Sequence, residues 1–201
     1  HYIDQKDSRA VVKVLKSKNI TQGPYIEAFE KKICKIVGSK YAVAVSSCTA
    51  GLHIACKALD FKKSSTLLTS AISFVSSSNV AYFLGGKSHL VDIKKDNSIS
   101  LDINDLEKKI KKYKPLVVMP VHIGGVSYDY DKIKKLSNKY KFKIIEDAAH
   151  SFGGKYNNNY KIGSCKYSDM TVFSFHPIKT ITTGEGGVVT TNNKFYYKKL
   201  L

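Results

Sequence analysis

Apolar residues recur along this chain in two rhythms. Val11, Val14 and Leu15 within residues 4–17, and Ile26, Phe29, Ile33, Ile36 and Val37 within residues 24–37, keep the three-and-four spacing of one helix face. Pro24 near the start and Gly38 just past the end bound the second segment. Both are predicted to be amphipathic helices packed on a sheet. Residues 103–113 and 131–140 carry the same helical pattern with lysine-rich outer faces, and residues 70–76 open a helix of small residues that runs toward Phe83. Short continuous apolar runs read instead as buried strands: residues 66–69, 89–93, 116–121 and 142–145, the run of Met170, Val172, Phe173 and Phe175, and residues 188–191. Residues 42–59 read as strand, small-residue turn and helix, with Leu52, Ala55, Cys56 and Leu59 on one face. Residues 155–161 form a polar turn or hairpin tip, and residues 196–201 the start of another helix. Strands alternating with helices predict a single α/β domain over residues 1–201 with a largely parallel central sheet.

Three stretches between these elements carry candidate chemistry. The first is the turn at residues 46–51, Ser-Ser-Cys-Thr-Ala-Gly, where a helix starting with small residues exposes unpaired backbone N–H groups and the positive end of its dipole. Such a start fits a phosphate, and equally an ordinary Ser/Thr N-cap. The second is Glu146-Asp147-Ala148-Ala149-His150, which puts a carboxylate at the carboxyl end of a strand. There an acid either opens a helix or faces a ligand, and a carboxylate facing a pyridinium nitrogen would keep that ring able to accept electrons. The third is residues 168–191, in which Lys179 lies between an apolar strand and a glycine-rich turn. A lysine is ordinarily a solvated surface charge. Enclosed by Ser174, His176, Pro177 and the glycines at 184, 186 and 187, this one reads as a Schiff-base lysine on a turn at a sheet edge.

The ordered set of phosphate cradle, Glu-Asp-Ala-Ala-His, Ser-Phe-His-Pro-x-Lys and Thr-Thr-Gly-Glu-Gly-Gly resembles the DegT/DnrJ-type sugar aminotransferases that use pyridoxal 5′-phosphate. The resemblance also takes in Thr21-Gln22-Gly23-Pro24 and Pro120-Val121-His122. It implies the large domain of the aspartate aminotransferase-like fold, fold type I of the pyridoxal-phosphate enzymes. Carried over onto this sequence, it implies that Lys179 holds the cofactor and moves protons, and that Asp147 pairs with the ring nitrogen. Cys48, Thr49, Ala50 and Ser174 would hold the phosphate, and Phe74 would stack on the ring. His150 would contact the ring oxygen, where the family often has Gln. Thr21 and His176 are implied near the sugar. The His-Pro-x-Lys form is most similar to the branch that makes 4-amino sugars for pseudaminic acid. That branch implies L-glutamate (giving 2-oxoglutarate) as amino donor, a UDP-linked 4-keto-6-deoxy-N-acetylhexosamine as acceptor, and a homodimer. Relatives with other sugars, sugar dehydratases, which carry His in place of the lysine, and a piece without catalysis are the alternatives.

Composition changes this picture little. With 43% hydrophobic residues in 201, the chain has enough apolar content for one sizeable core. Members of the family are longer by about a domain, so the chain is expected to be a fragment, cut at both ends and lacking the C-terminal small domain. The formal net charge of +17 would ordinarily point to nucleic acid or an anionic membrane. Here the cations are lysines scattered over helices and Arg9 is the only arginine, which argues against a nucleic-acid interface. Cys34, Cys48, Cys56 and Cys165 show no zinc spacing, so no metal is expected. With free thiols and no apolar run of membrane-spanning length, the cytoplasm is the expected compartment and no membrane partner is expected.

Overall fold

The computed structural model describes residues 2–96, 99–126 and 128–201. A seven-stranded sheet with order β1-β7-β6-β5-β4-β2-β3 runs through the middle. Its strands are β1 (Tyr41–Val45), β2 (Thr66–Ser70), β3 (Lys87–Val91), β4 (Val117–Met119), β5 (Lys143–Asp147), β6 (Met170–Ser174) and β7 (Gly187–Thr191). The pairs β2–β3, β2–β4, β4–β5 and β5–β6 are parallel, and β7 lies antiparallel between β1 and β6. This is the mostly parallel, helix-flanked sheet expected, with one reversed strand that an apolar run cannot announce.

Side-chain alternation along each strand feeds two cores, one on each face of the sheet. Ile144 faces one and Ile145 the other; Val118 is opposed in the same way to Val117 and Met119. The first core is covered by α2 (Pro24–Val37), α5 (Ile103–Tyr113) and α6 (Tyr130–Tyr140), through Ile33, Val37, Leu106, Ile110, Ile133 and Leu136. The second is covered by α3 (Cys48–Ala58), α4 (Ser76–Phe83) and α7 (Lys194–Leu200), through Leu52, Ala55, Val80, Ala81 and Leu200. Helix α2 begins at Pro24 and ends on Gly38 in the left-handed conformation, as its sequence signals require. The polar segment 155–161 is a hairpin tip, closed by the Lys155–Lys161 bridge.

Helix α1 (Gln5–Leu15) departs from expectation. It forms behind an Asp4 capping box, but it buries no residue, and Val11 and Leu15 are 59% and 60% exposed. Its amphipathic spacing is real. Periodicity reports an apolar face without naming what covers it, and neither core of the sheet does.

The first core also contains a polar cluster. Glu146, wholly buried, accepts from the Tyr156 hydroxyl at 2.7 and 2.8 Å, lies 2.7 Å from His122 Nε2 and accepts from Thr171 Oγ1 at 3.2 Å. Burial opposes ionisation of Glu146, but hydrogen bonding and attraction from His122 and hydrogen bonds from Ser168 and Tyr156 outweigh it and hold the carboxyl below the usual range. These bonds tie the end of β5 to the segments beside it, and the next residue on the opposite face is Asp147.

The start of α3 is held against the sheet by an approach that only glycine permits. A Cβ on Gly187 would stand 2.8 Å from Cys48 N and from the Ser47 carbonyl carbon, and 2.9 Å from Phe173 O, all backbone atoms. Gly187→Ala is therefore expected to destabilise the protein by ~1–3 kcal/mol by forcing backbone apart, read as a lower urea midpoint. An unchanged midpoint would mean that the helix start shifts freely.

Candidate active site

Several chain segments converge at one end of the sheet. Val45, Gly187 and Ser174 stand side by side in one row, at the carboxyl ends of β1 and β6 and the amino end of β7. Asp147 ends β5 on the other side of β6. The cleft above them has a volume of about 240 Å³. Ser47, Cys48 and Thr49 line it from the start of α3, and Phe74 and Ser76 from the approach to α4. Val121 and Ile123 come from beyond β4, and Asp147, Ala149 and His150 from the end of β5. Ser174, His176, Ile178, Lys179 and Glu185 come from the β6–β7 connection.

At the α3 start, Ser47 is the N-cap. Its Oγ takes the Ala50 N–H at 3.1 Å and its carbonyl takes the Gly51 N–H at 3.0 Å. These bonds leave the amides of Cys48 and Thr49, the first two of the helix, for an anion. The Thr49 hydroxyl is 2.6 Å from the Ser76 hydroxyl.

Asp147 is 3% exposed, and both of its oxygens are engaged. Oδ2 accepts from the Ser77 hydroxyl at 2.6 Å; Oδ1 accepts from the Ala149 N–H at 3.2 Å and has the Cys48 thiol at 3.9 Å. Its backbone is fixed on the β4 side by Asp147 N–H to Pro120 O and His122 N–H to Asp147 O. Burial and the Asp147 charge push the Cys48 thiol well up, although the Lys179 charge acts the other way. Cys48 is therefore a neutral wall of the cleft and no nucleophile.

His150 accepts the Gly124 N–H on Nδ1 at 3.2 Å, which leaves a neutral imidazole with its proton on Nε2 as a donor. Partial burial, reinforced by the Lys179 charge, holds its pKa below the ordinary value; Asp147 opposes this.

Lys179 is half-buried on the β6–β7 connection, its own N–H bonded to His176 O at 2.9 Å. Threonines brace the loop: Thr182 Oγ1 donates to Phe175 O at 2.9 Å and Thr183 Oγ1 to Glu185 O at 2.8 Å. The loop rises from the carboxyl end of an interior strand rather than from a sheet edge. Beside it His176 Nε2 is 3.6 Å from Glu185.

Of the residues singled out in the sequence, Cys48, Thr49, Phe74, Asp147, His150, Ser174, His176 and Lys179 all line this one cleft. Phe74 belongs to neither core and is 67% exposed at the mouth. Ala50 lies just behind the lining with its amide satisfied, and Thr21 is exposed and is not among the lining residues. Sequence reasoning missed Ser76, Ser77 and Glu185. Glu185 was within reach as the acid of Thr-Thr-Gly-Glu-Gly-Gly, whereas a serine run at a helix start does not say which hydroxyl meets which partner.

An anion cradle, a buried acid, a neutral imidazole donor, an amine and an aromatic wall around one cleft form the donor set that a phosphorylated pyridine aldehyde requires. The match to a family model extends over residues 1–201, and that family is the DegT/DnrJ/EryC1/StrS aminotransferase family. The chain belongs to this family. A UDP-4-amino-4,6-dideoxy-N-acetyl-beta-L-altrosamine transaminase of Campylobacter jejuni subsp. jejuni serotype O:23/36 (strain 81-176) is 38% identical over 200 residues, covering 98% of this chain and 52% of that protein. Among solved structures, Helicobacter pylori PseC, an aminotransferase involved in the biosynthesis of pseudoaminic acid, has a TM-score of 0.89 at 33% identity, over 99% of this chain and 53% of that one. NtdA from Bacillus subtilis, with bound cofactor PMP, has a TM-score of 0.85 at 29% identity, over 98% and 45%. The chain thus spans about half the length of the relatives it matches. With these neighbours the sheet and its helices are the large-domain architecture of fold type I.

The lowered pKa of His150 has a signed consequence. Below the ordinary value of about 6.5 the unfolded chain takes up this proton while folded His150 still resists it, so acidification through that window costs stability. In NMR titration the His150 ring is expected to change charge at lower pH than an exposed histidine; a midpoint at or above 6.5 would contradict the Gly124 bond and the Lys179 proximity.

Proposed function

We propose that this chain is the cofactor-binding part of a pyridoxal-phosphate aminotransferase that moves an amino group from L-glutamate to the 4-keto group of a UDP-linked 4-keto-6-deoxy-N-acetylhexosamine, in a pathway to pseudaminic acid. The observation that carries this reading is the convergence of Lys179, Asp147 and the α3 start on one cleft. The sugar rests on the 38% identical transaminase and on the His-Pro-x-Lys form of the lysine motif.

When bound, pyridoxal phosphate supplies an aldehyde that condenses with amines and a ring that takes up electrons from a carbanion. In this reading Lys179 Nζ would hold the cofactor, and its amine would move the proton at the donor's Cα as base and then acid. Asp147 would accept from the ring N–H, and its buried, hydrogen-bonded setting holds the carboxylate in place. The Cys48 and Thr49 amides with Ser174 would hold the phosphate, His150 Nε2–H would donate to the ring oxygen, and Phe74 would cover one face. Exposed Ile72, Phe74, Val75, Ile178 and Ile181 in the segments that line the mouth support a second copy closing over it, as a homodimer would. The free cysteines suit a reducing cytoplasm.

Among the described residues no helix is long and apolar enough to cross a membrane.

Incubation with pyridoxal 5′-phosphate, borohydride reduction and peptide mass spectrometry tests the assignment. Label is expected on Lys179 alone, lost in Lys179→Ala, with Phe74→Ala weakening cofactor binding about fivefold, near 1 kcal/mol for a lost ring stack. Label spread over the surface lysines would sink the reading.

A further inference from the structure

Asp147 and Thr49 reach the cleft from different elements, the end of β5 and the start of α3, and one turn of α4 is bonded to both. Ser76 and Ser77 are consecutive, and neighbours in a helix point about 100° apart, so two adjacent hydroxyls can meet two different partners. Ser76 Oγ lies 2.6 Å from Thr49 Oγ1, and Ser77 Oγ donates to Asp147 Oδ2 at 2.6 Å. The turn itself is anchored: the Ser77 N–H donates to Phe74 O at 3.2 Å and the Asn79 N–H to Val75 O at 2.9 Å. Ser77 is wholly buried, so its hydroxyl has no competing bond to solvent.

The two oxygens of Asp147 are served unequally. Oδ1 has a backbone amide and a thiol, whereas Ser77 is the donor to Oδ2 among the described residues. Without that hydroxyl the carboxylate would be held at Oδ1 alone and gain freedom to turn about it.

We propose that Ser77 is a positioning residue that acts through Asp147, fixing the carboxylate in the orientation that meets a pyridine ring nitrogen. This rests on the cofactor reading above. Ser77 touches neither substrate nor cofactor; it sets the direction from which Asp147 accepts. Ser76, bonded to the anion cradle, fixes the same turn at its other end, so the distance between phosphate and ring-nitrogen contacts is held by two neighbouring hydroxyls.

The test measures binding of two probes to the unaltered protein and to Ser77→Ala. One is pyridoxal 5′-phosphate; the other is 1-deazapyridoxal 5′-phosphate, in which carbon replaces the ring nitrogen. Ser77→Ala is expected to weaken pyridoxal phosphate about tenfold, the scale of a lost hydrogen bond to a charged group, and the carbon analogue by less than about twofold. Ser77→Thr, which keeps the hydroxyl, is expected to restore the preference for the nitrogen ring. If Ser77→Ala does not fold, Ser77→Cys keeps the volume with a weaker donor and is expected to lower the same preference in part. Equal weakening of both probes, or undiminished pyridoxal phosphate binding, overturns the role of Ser77 and leaves the cofactor reading standing. No saturable binding by the unaltered protein overturns both.

Discussion

Asp147 is a carboxylate at the end of an interior strand with 3% of its surface exposed, and a buried acid is costly unless donors meet it. The surroundings meet it from three directions: Ser77 from α4, the Ala149 amide two residues further along and Cys48 from α3. The elements that form the cleft are therefore also those that satisfy its acid. Behind the strand, Glu146 performs a parallel task among His122, Tyr156 and Thr171, so consecutive carboxylates face opposite sides of the sheet and both are bonded. Strand alternation makes this possible: the same backbone that buries one acid in a tyrosine cluster presents the next to a cleft.

Most of the architecture was legible because apolar runs and helical spacing are local signals. Helices α2 and α5 carry the bounds their sequence patterns predict, and each expected strand has a counterpart in the sheet. What periodicity cannot carry is direction and cover. Nothing in Val188-Val189-Thr190-Thr191 says that β7 runs antiparallel between β1 and β6, and nothing in Val11, Val14 and Leu15 says that α1 packs on neither core. The candidate site was legible to the same depth. Residues in ordered motifs, Lys179, Asp147, Thr49 and His150, come together in one cleft, whereas Ser76 and Ser77 carry no signal of their own because their partners are 27 and 70 residues away.

The electrostatics of the cleft assign different roles to groups that look alike in sequence. Burial and the Asp147 charge keep Cys48 a neutral thiol, so the sulfur at the anion cradle fills space and offers a weak donor. His150 is kept neutral by burial as well, here reinforced by the positive charge of Lys179 rather than by a neighbouring anion. A neutral imidazole with its proton on Nε2 can give one hydrogen bond into the cleft. The long-range positive field of the lysine-rich surface, by contrast, belongs to no particular site and bears on how anions approach.

In the proposed function Asp147, Lys179 and the start of α3 serve one ligand at once. X-ray diffraction from the protein crystallised with pyridoxal 5′-phosphate tests this most directly. The phosphate is expected about 3 Å from the Cys48 and Thr49 amides and the ring nitrogen about 2.8 Å from an Asp147 oxygen, with unbroken density from the cofactor to Lys179. An ordered cofactor whose ring nitrogen lies away from Asp147, or whose phosphate sits on surface lysines outside the cleft, would contradict it.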